Sequence, residues 1–195
     1  EADAYLVALA DGQVLMIEAS EVTRTPLTTI DKTRSVCELT FDASPACLVT
    51  DDMALLKQTI VRGRAVQAAD TLGAAQYMLD QAVAYSLERK QFNRVVGSFQ
   101  AVKHMCAEMA SQLEPSRAFV WYAGHAFDEV TADAAATACH AKAHFAEVGQ
   151  FFAKTRNEVH GGMGFTDLLG LHYWFKIFGF NRQLLGSTEA VRHEA

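Results

Sequence analysis

The chain has 195 residues, half of them apolar, with only three prolines and a formal net charge of -6. That is enough apolar side chain for a core of one domain or one and a fraction, and the absence of any Lys/Arg run argues against nucleic acid or an anionic membrane as the main partner, since both reward basic clusters. No stretch approaches the roughly 18 apolar residues of a membrane helix, and the N-terminus lacks a basic region followed by an apolar one, so a cytoplasmic protein without a membrane span is expected.

The first elements read as extended. Tyr5-Leu6-Val7-Ala8-Leu9 and Gln13-Val14-Leu15-Met16-Ile17 flank Asp11-Gly12, a dipeptide suited to a tight hairpin turn, so two antiparallel strands are expected. A third candidate covers residues 35–41, where Cys37, Leu39 and Phe41 alternate with Val36, Glu38 and Thr40, and residues 42–45 close it. From residue 50 the spacing turns helical. Thr50 is a candidate cap, with Asp51 and Asp52 at the positive end of the helix dipole.

Ala65, Ala68, Leu72, Ala75, Leu79, Ala82 and Ser86 then recur at three or four residues, which predicts one helix over residues 52–91. A second helix starts at Ser98, with Pro115 expected to kink or end it, and a continuation through Phe119 and Tyr122 is open. A third covers residues 132–158, rich in alanine, and the Gly161, Gly162 and Gly164 cluster stops it. A last helical stretch spans residues 169–185, and Ser187 is placed to cap a final turn. The expected architecture is three strands followed by a helical bundle.

Several chemical signals are weak. Gly161-Gly162-Met163-Gly164 follows no strand and precedes no Lys-Ser/Thr, so it fits neither nucleotide fingerprint and reads as a helix-ending turn. His140 and His144 stand four apart on one helix, but no third ligand pattern accompanies them, so no metal site is assigned. No Gly-x-Ser-x-Gly elbow supports a hydrolase. Cys37, Cys47, Cys106 and Cys139 fall in no regular ligand spacing and read as free thiols.

The string from Tyr85 to Met109 is more specific. It contains Tyr85, Arg89, Gln91 and Phe92, then Gln100 eleven residues after Arg89, then His104-Met105. This resembles the acyl-CoA dehydrogenase pattern Tyr-x-x-x-Arg-x-Gln-Phe with its following Gln, and Glu158 to Phe165 resembles the family's second signature, Gln-x-x-Gly-Gly-x-Gly-(Phe/Tyr). The resemblance covers nearly the whole chain. It implies a mostly α fold with a β portion: residues 1–49 are the latter part of the family's middle β domain, and residues 50–195 its C-terminal antiparallel four-helix bundle. The usual N-terminal helical domain is not in this sequence.

The resemblance also implies FAD at a subunit interface. Arg89 and Gln100 match the residues that reach the cofactor of the neighbouring subunit, and Phe92 the position near its adenosine part; a guanidinium suits a pyrophosphate because its forked donors pair with phosphate oxygens. Gly161 and Gly162 match the turn that brings bare backbone to the dinucleotide. Glu158 replaces the family Gln, an anion where an amide should face a diphosphate, and Asn93 replaces a glycine. Ser187 and Glu189 match later cofactor-contacting positions.

The implied reaction is α,β-desaturation of an acyl-CoA thioester, which needs a carboxylate base. The family's usual station for it, in a Tyr-Glu-Gly-Thr string, falls on Leu184-Leu185-Gly186-Ser187 and holds Leu185. The alternative station, twenty-six residues before the signature Arg, holds Gly63, followed by Arg64. The sequence therefore suggests an FAD-binding subunit that pairs with a homologous subunit, in a dimer or tetramer, whose chain carries the catalytic Glu. Such paired subunits occur among members acting on steroid-side-chain thioesters. Two other readings stay open: a self-sufficient dehydrogenase with its base elsewhere, and a flavin-free helical assembly module.

Overall fold

The computed structural model describes residues 2–31, 33–42 and 44–195. They fall into two compact units, Glu1–Ile60 and Val61–Ala195. The expected closing turn at residues 42–45 includes Ala43, which lies outside the described residues.

Among its described residues the first unit holds five strands where three are expected: β1 (Ala4–Ala8), β2 (Val14–Glu18), β3 (Thr23–Leu27), β4 (Val36–Thr40) and β5 (Ala46–Thr50). The hairpin at Asp11-Gly12 forms as the sequence suggests, with Ala8 opposite Val14 and the Leu9 N–H donating to the Gln13 carbonyl at 2.8 Å. The strand order is β1-β2-β5 in one antiparallel sheet and β3-β4 in another. β3 escapes sequence reading because it carries Pro26 and no apolar alternation; a two-stranded ladder tolerates proline because both strands are edges. β5 escapes because its five residues run straight into the helix signal.

α1 (Met53–Glu88) is 36 residues long and spans about 54 Å at the standard rise. Its cap is Asp52 rather than Thr50: Asp52 Oδ1 accepts from the backbone N–H of Ala54 at 2.8 Å and Leu55 at 3.3 Å, while Thr50 ends β5. The helix stops at Glu88 because residues 90–95 fold into a small hairpin, β6 (Lys90–Gln91) and β7 (Arg94–Val95). Phe92 and Asn93 form its two-residue turn with φ of 52° and 61°, the mirror-image geometry that matches strand twist.

α2 (Gln100–Glu129) starts two residues later than expected and runs straight through Pro115. Proline removes one backbone donor, yet both flanks are anchored: Leu113 is fully buried, and buried Ser116 donates to the Gln112 carbonyl at 2.6 Å and meets His144 Nε2 at 2.7 Å. His144 is thereby a packing residue between two helices. α3 (Ala134–His160) is followed by a 3-10 turn at Gly161–Phe165, α4 (His172–Gln183) is shorter than the expected 169–185 stretch, and α5 (Thr188–Glu194) closes the chain. Ser187 does cap α5, its Oγ accepting from the Ala190 N–H at 3.2 Å.

One apolar core joins four helices of this second unit. It includes Leu72, Ala75 and Met78 of α1, Met109 and Leu113 of α2, Phe145 and Phe152 of α3, and Phe178 of α4. Gly149 decides how close α4 comes: a Cβ there would sit 2.8 Å from Phe178 Cδ1, so the ring lies directly on the α3 backbone. Lys142 fixes the end of α4. It is 3% exposed, and its ammonium donates to the Asn181 carbonyl at 2.5 Å and more distantly to that of Arg182.

Two measurements check this packing. Gly149→Val should lower unfolding stability by about 1–3 kcal/mol in urea melts, because the added atoms force Phe178 off its seat. Burial, with a smaller contribution from the charge on Arg64, lowers the Lys142 pKa from 10.5 to about 8. Between those values the unfolded chain binds more protons than the folded one, so stability should rise with pH from 8 to 10.5, by roughly 3 kcal/mol at most. Lys142→Met should flatten that slope.

Candidate functional site

The end of α1 and the end of α3 line an open cavity of about 420 Å³, bordered by Tyr85, Arg89, Gln91, Val96, Val159, His160, Gly161, Gly162 and Met163. Arg89 is placed by its backbone: its N–H donates to the Tyr85 carbonyl at 2.9 Å, extending α1, and its carbonyl accepts from the Val96 N–H at 2.7 Å, closing the hairpin. On the other wall the chain leaves α3 through Gly161, whose φ of 59° and ψ of -140° lie in a region open essentially to glycine alone. A Cβ built on either Gly161 or Gly162 would meet nothing within 4 Å, so both present bare backbone to open space.

A guanidinium and two side-chain-free peptides around a cavity with no carboxylate in its lining suit an anionic group. Three of the sequence-expected residues, Arg89, Gly161 and Gly162, meet here. The signature strings contain Tyr85, Gln91 and His160 without giving them a role, which only their position on the cavity wall supplies.

The other expected residues lie elsewhere. Phe92 is 86% exposed at the hairpin tip, edge-on to Phe99 at 6.0 Å, and the Arg94 guanidinium covers Phe99 at 3.9 Å. Gln100 opens α2 and contacts His104 Nε2 at 3.1 Å. Glu158 is on the exposed side of α3, 3.9 Å from the Lys154 ammonium. Glu189 is in the first turn of α5, 3.4 Å from Arg182; its own backbone N–H and the Ser187 side chain hold its carboxyl below the usual range, with Arg182 adding to the effect.

A second locus joins the two positions where a base is expected. Leu185 adopts a left-handed conformation, φ 60°, and its Cδ1 lies only 2.8 Å from where a Gly63 Cβ would stand. Gly63 and Leu185 thus face each other across 122 residues of sequence, and the leucine fills the space a side chain at 63 would need. Arg64 holds this arrangement. It is 5% exposed; Nε donates to the Leu185 carbonyl at 2.9 Å, Nη1 to Cys139 Sγ at 3.1 Å, and Nη2 to Glu194 at 2.7 Å. The hydrogen bond it donates to Glu194 raises the Arg64 pKa further, against the opposing effect of burial. Cys139 has its thiol pKa pushed up by burial, so it serves as a neutral partner.

Comparison with known proteins decides the family. The family model for the acyl-CoA dehydrogenase C-terminal domain matches residues 53–194. The chain belongs to the acyl-CoA dehydrogenase family. Members of the family are FAD-dependent, and the mostly helical bundle with its preceding strands matches their architecture. The acyl-CoA dehydrogenase IpdE2 of Mycolicibacterium smegmatis is 30% identical over 183 residues, covering 94% of this chain and 55% of that protein. IpdE2 of Mycobacterium tuberculosis is 32% identical over 190 residues, with 95% and 54% covered. The chain therefore spans about half the length of the curated relatives it matches.

Among solved structures, the Tcur3481-Tcur3483 steroid ACAD G363A variant aligns with a TM-score of 0.85 at 27% identity, over 98% of this chain and 53% of that one. The ChsE4-ChsE5 complex from Mycobacterium tuberculosis aligns with a TM-score of 0.82 at 27% identity, over 99% and 54%. The second is described as a complex, and each carries two component names. Among the described residues of the present chain, no helix is long and apolar enough to cross a membrane.

Arg64→Met removes the donor to the Leu185 carbonyl while keeping most of the side-chain volume. It should cost about 2 kcal/mol of stability, read from denaturant unfolding, because a partly buried acceptor is left unmet. The exposed end of the ion pair contributes little to that figure, since Glu194 is largely solvated.

Proposed function

We propose that this chain is an FAD-binding subunit of an acyl-CoA dehydrogenase that desaturates an acyl-CoA thioester, with the catalytic Glu on a homologous partner subunit in a dimer or tetramer. The observation that carries the reading is the pairing of Leu185 with Gly63: the two positions at which the family places its base hold a leucine and a glycine, packed against each other. Only a side chain with an available lone pair can take the α proton from the substrate, and neither residue has one.

In this reading Arg89 binds the pyrophosphate through its forked donors, and the Gly161-Gly162 backbone lets the dinucleotide come close. Gln100, Phe92, Ser187 and Glu189 would complete the contacts around an interface shared with the partner. FAD, when bound, supplies the acceptor for the β hydrogen as hydride. The two-component relatives ChsE4-ChsE5 and Tcur3481-Tcur3483 support the heteromeric form, and the steroid description of the second suggests a bulky substrate.

One observation favours a second reading, a self-sufficient enzyme with a base elsewhere: the Glu194 carboxylate is tied through Arg64 to the Leu185 turn. Its engagement with a guanidinium makes it a weaker candidate, because an ion-paired carboxylate is a poor proton acceptor. The test is turnover of acyl-CoA with added FAD and an artificial electron acceptor. The chain alone should be inactive, a partner subunit should restore activity, and Arg89→Ala should weaken FAD binding by roughly tenfold or more. Ordinary turnover by the chain alone would sink the subunit reading, and its loss in Glu194→Gln would establish the second.

A further inference from the structure

The two halves of the Arg89 cavity come from distant parts of the sequence, and one aromatic contact joins them. Tyr85, on the last turn of α1, stacks on His160, the last residue of α3, with ring centroids 4.2 Å apart and planes inclined by 26°. The Tyr85 hydroxyl donates to the His160 carbonyl at 3.4 Å, across 75 residues of sequence. Arg89 follows Tyr85 by one helical turn, bonded to its carbonyl, and Gly161 follows His160 directly. The ring contact therefore ties the segment that carries Arg89 to the segment that carries the bare Gly161-Gly162 backbone.

His160 is held rigidly for this. It is 6% exposed, and its Nδ1 donates to the Arg156 carbonyl at 2.8 Å, which leaves Nε2 as the acceptor. Burial first, and then the charge of Arg156, lower the imidazole pKa, against the opposing pull of that hydrogen bond. The ring stays neutral and in one tautomer. Tyr85 and Arg89 are the other titratable side chains lining the cavity, so no carboxylate on its walls competes for the imidazole.

We propose that the Tyr85–His160 stack is the positioning element of this site: it sets the spacing between Arg89 and the Gly161-Gly162 turn to that of a dinucleotide pyrophosphate. The proposal rests on the FAD reading above. Neither ring needs to touch the phosphates; the pair acts through the two segments that do.

The test measures FAD affinity by flavin fluorescence on the full chain, with its partner subunit where flavin retention requires it. ADP and riboflavin, which shares the flavin but has no phosphate, serve as separate probes. His160→Ala should weaken FAD and ADP by roughly five- to tenfold, the scale of one aromatic pair, and leave riboflavin unchanged. His160→Phe, which keeps the ring stack, should recover to within about threefold, and His160→Gln should not. Tyr85→Ala should match His160→Ala, and the double variant should be no worse than either, because one contact can be lost only once. Additive losses, equal affinities for the Phe and Gln variants, or unchanged ADP binding in His160→Ala would overturn the proposal while the wild type still bound FAD. A wild type that bound neither FAD nor ADP would overturn it together with the FAD reading. If the alanine variants do not fold, the Phe and Gln comparison decides alone.

Discussion

A single guanidinium organises the C-terminal half of the helical unit. Arg64 is almost wholly removed from water, and a charge in that position persists only when each face of it finds a partner. Its partners come from three places: the turn at Leu185, Cys139 of α3 and Glu194 of α5. The start of the buried part of α1 is thereby tied to the last segment of the chain. Leu185 can remain in a left-handed conformation, unfavourable for a branched side chain, because its carbonyl is held from below and its side chain is seated over Gly63. Lys142 adds a second buried cation that holds the carbonyl end of α4 just before that turn.

The same economy governs the cavity at Arg89. Its walls are helix ends, where the backbone changes direction and polar groups are free to meet a ligand, and the long apolar core behind them supplies rigidity. Phe145, Phe152 and Met78 share that core, so the ends of α1 and α3 emerge from a fixed base. Apolar contacts fill the middle of these helices, and the cavity lies at their ends.

Much of this was legible in the sequence. The apolar spacing from Ala65 to Ser86, the glycine cluster after α3 and the cap at Ser187 each depend on neighbours within a few residues, and each appears in the structure. The signature strings single out Arg89, Gly161 and Gly162, which the fold brings to one cavity. What could not be read is long-range or context-dependent. β3 lacks alternation and contains Pro26, so its pairing with β4 is visible only in three dimensions. Pro115 should break a helix by local rules, yet Leu113 and Ser116 are anchored by tertiary burial that outweighs one lost hydrogen bond. Arg64 looks like an ordinary surface arginine in sequence, because its partners lie 75 to 130 residues away. His160 is unremarkable beside two glycines until its ring is seen against Tyr85.

The strands of the first unit bear on how the chain can be handled. Leu6, Leu48 and Val49 are more than half exposed, and β1 and β5 form the two edges of their sheet. Unpaired strand edges beside apolar side chains are templates for intermolecular sheet growth. The same exposed edges and side chains make this sheet a surface open to pairing with a further strand, so its packing would be the first to respond to changes at Leu6 or Leu48.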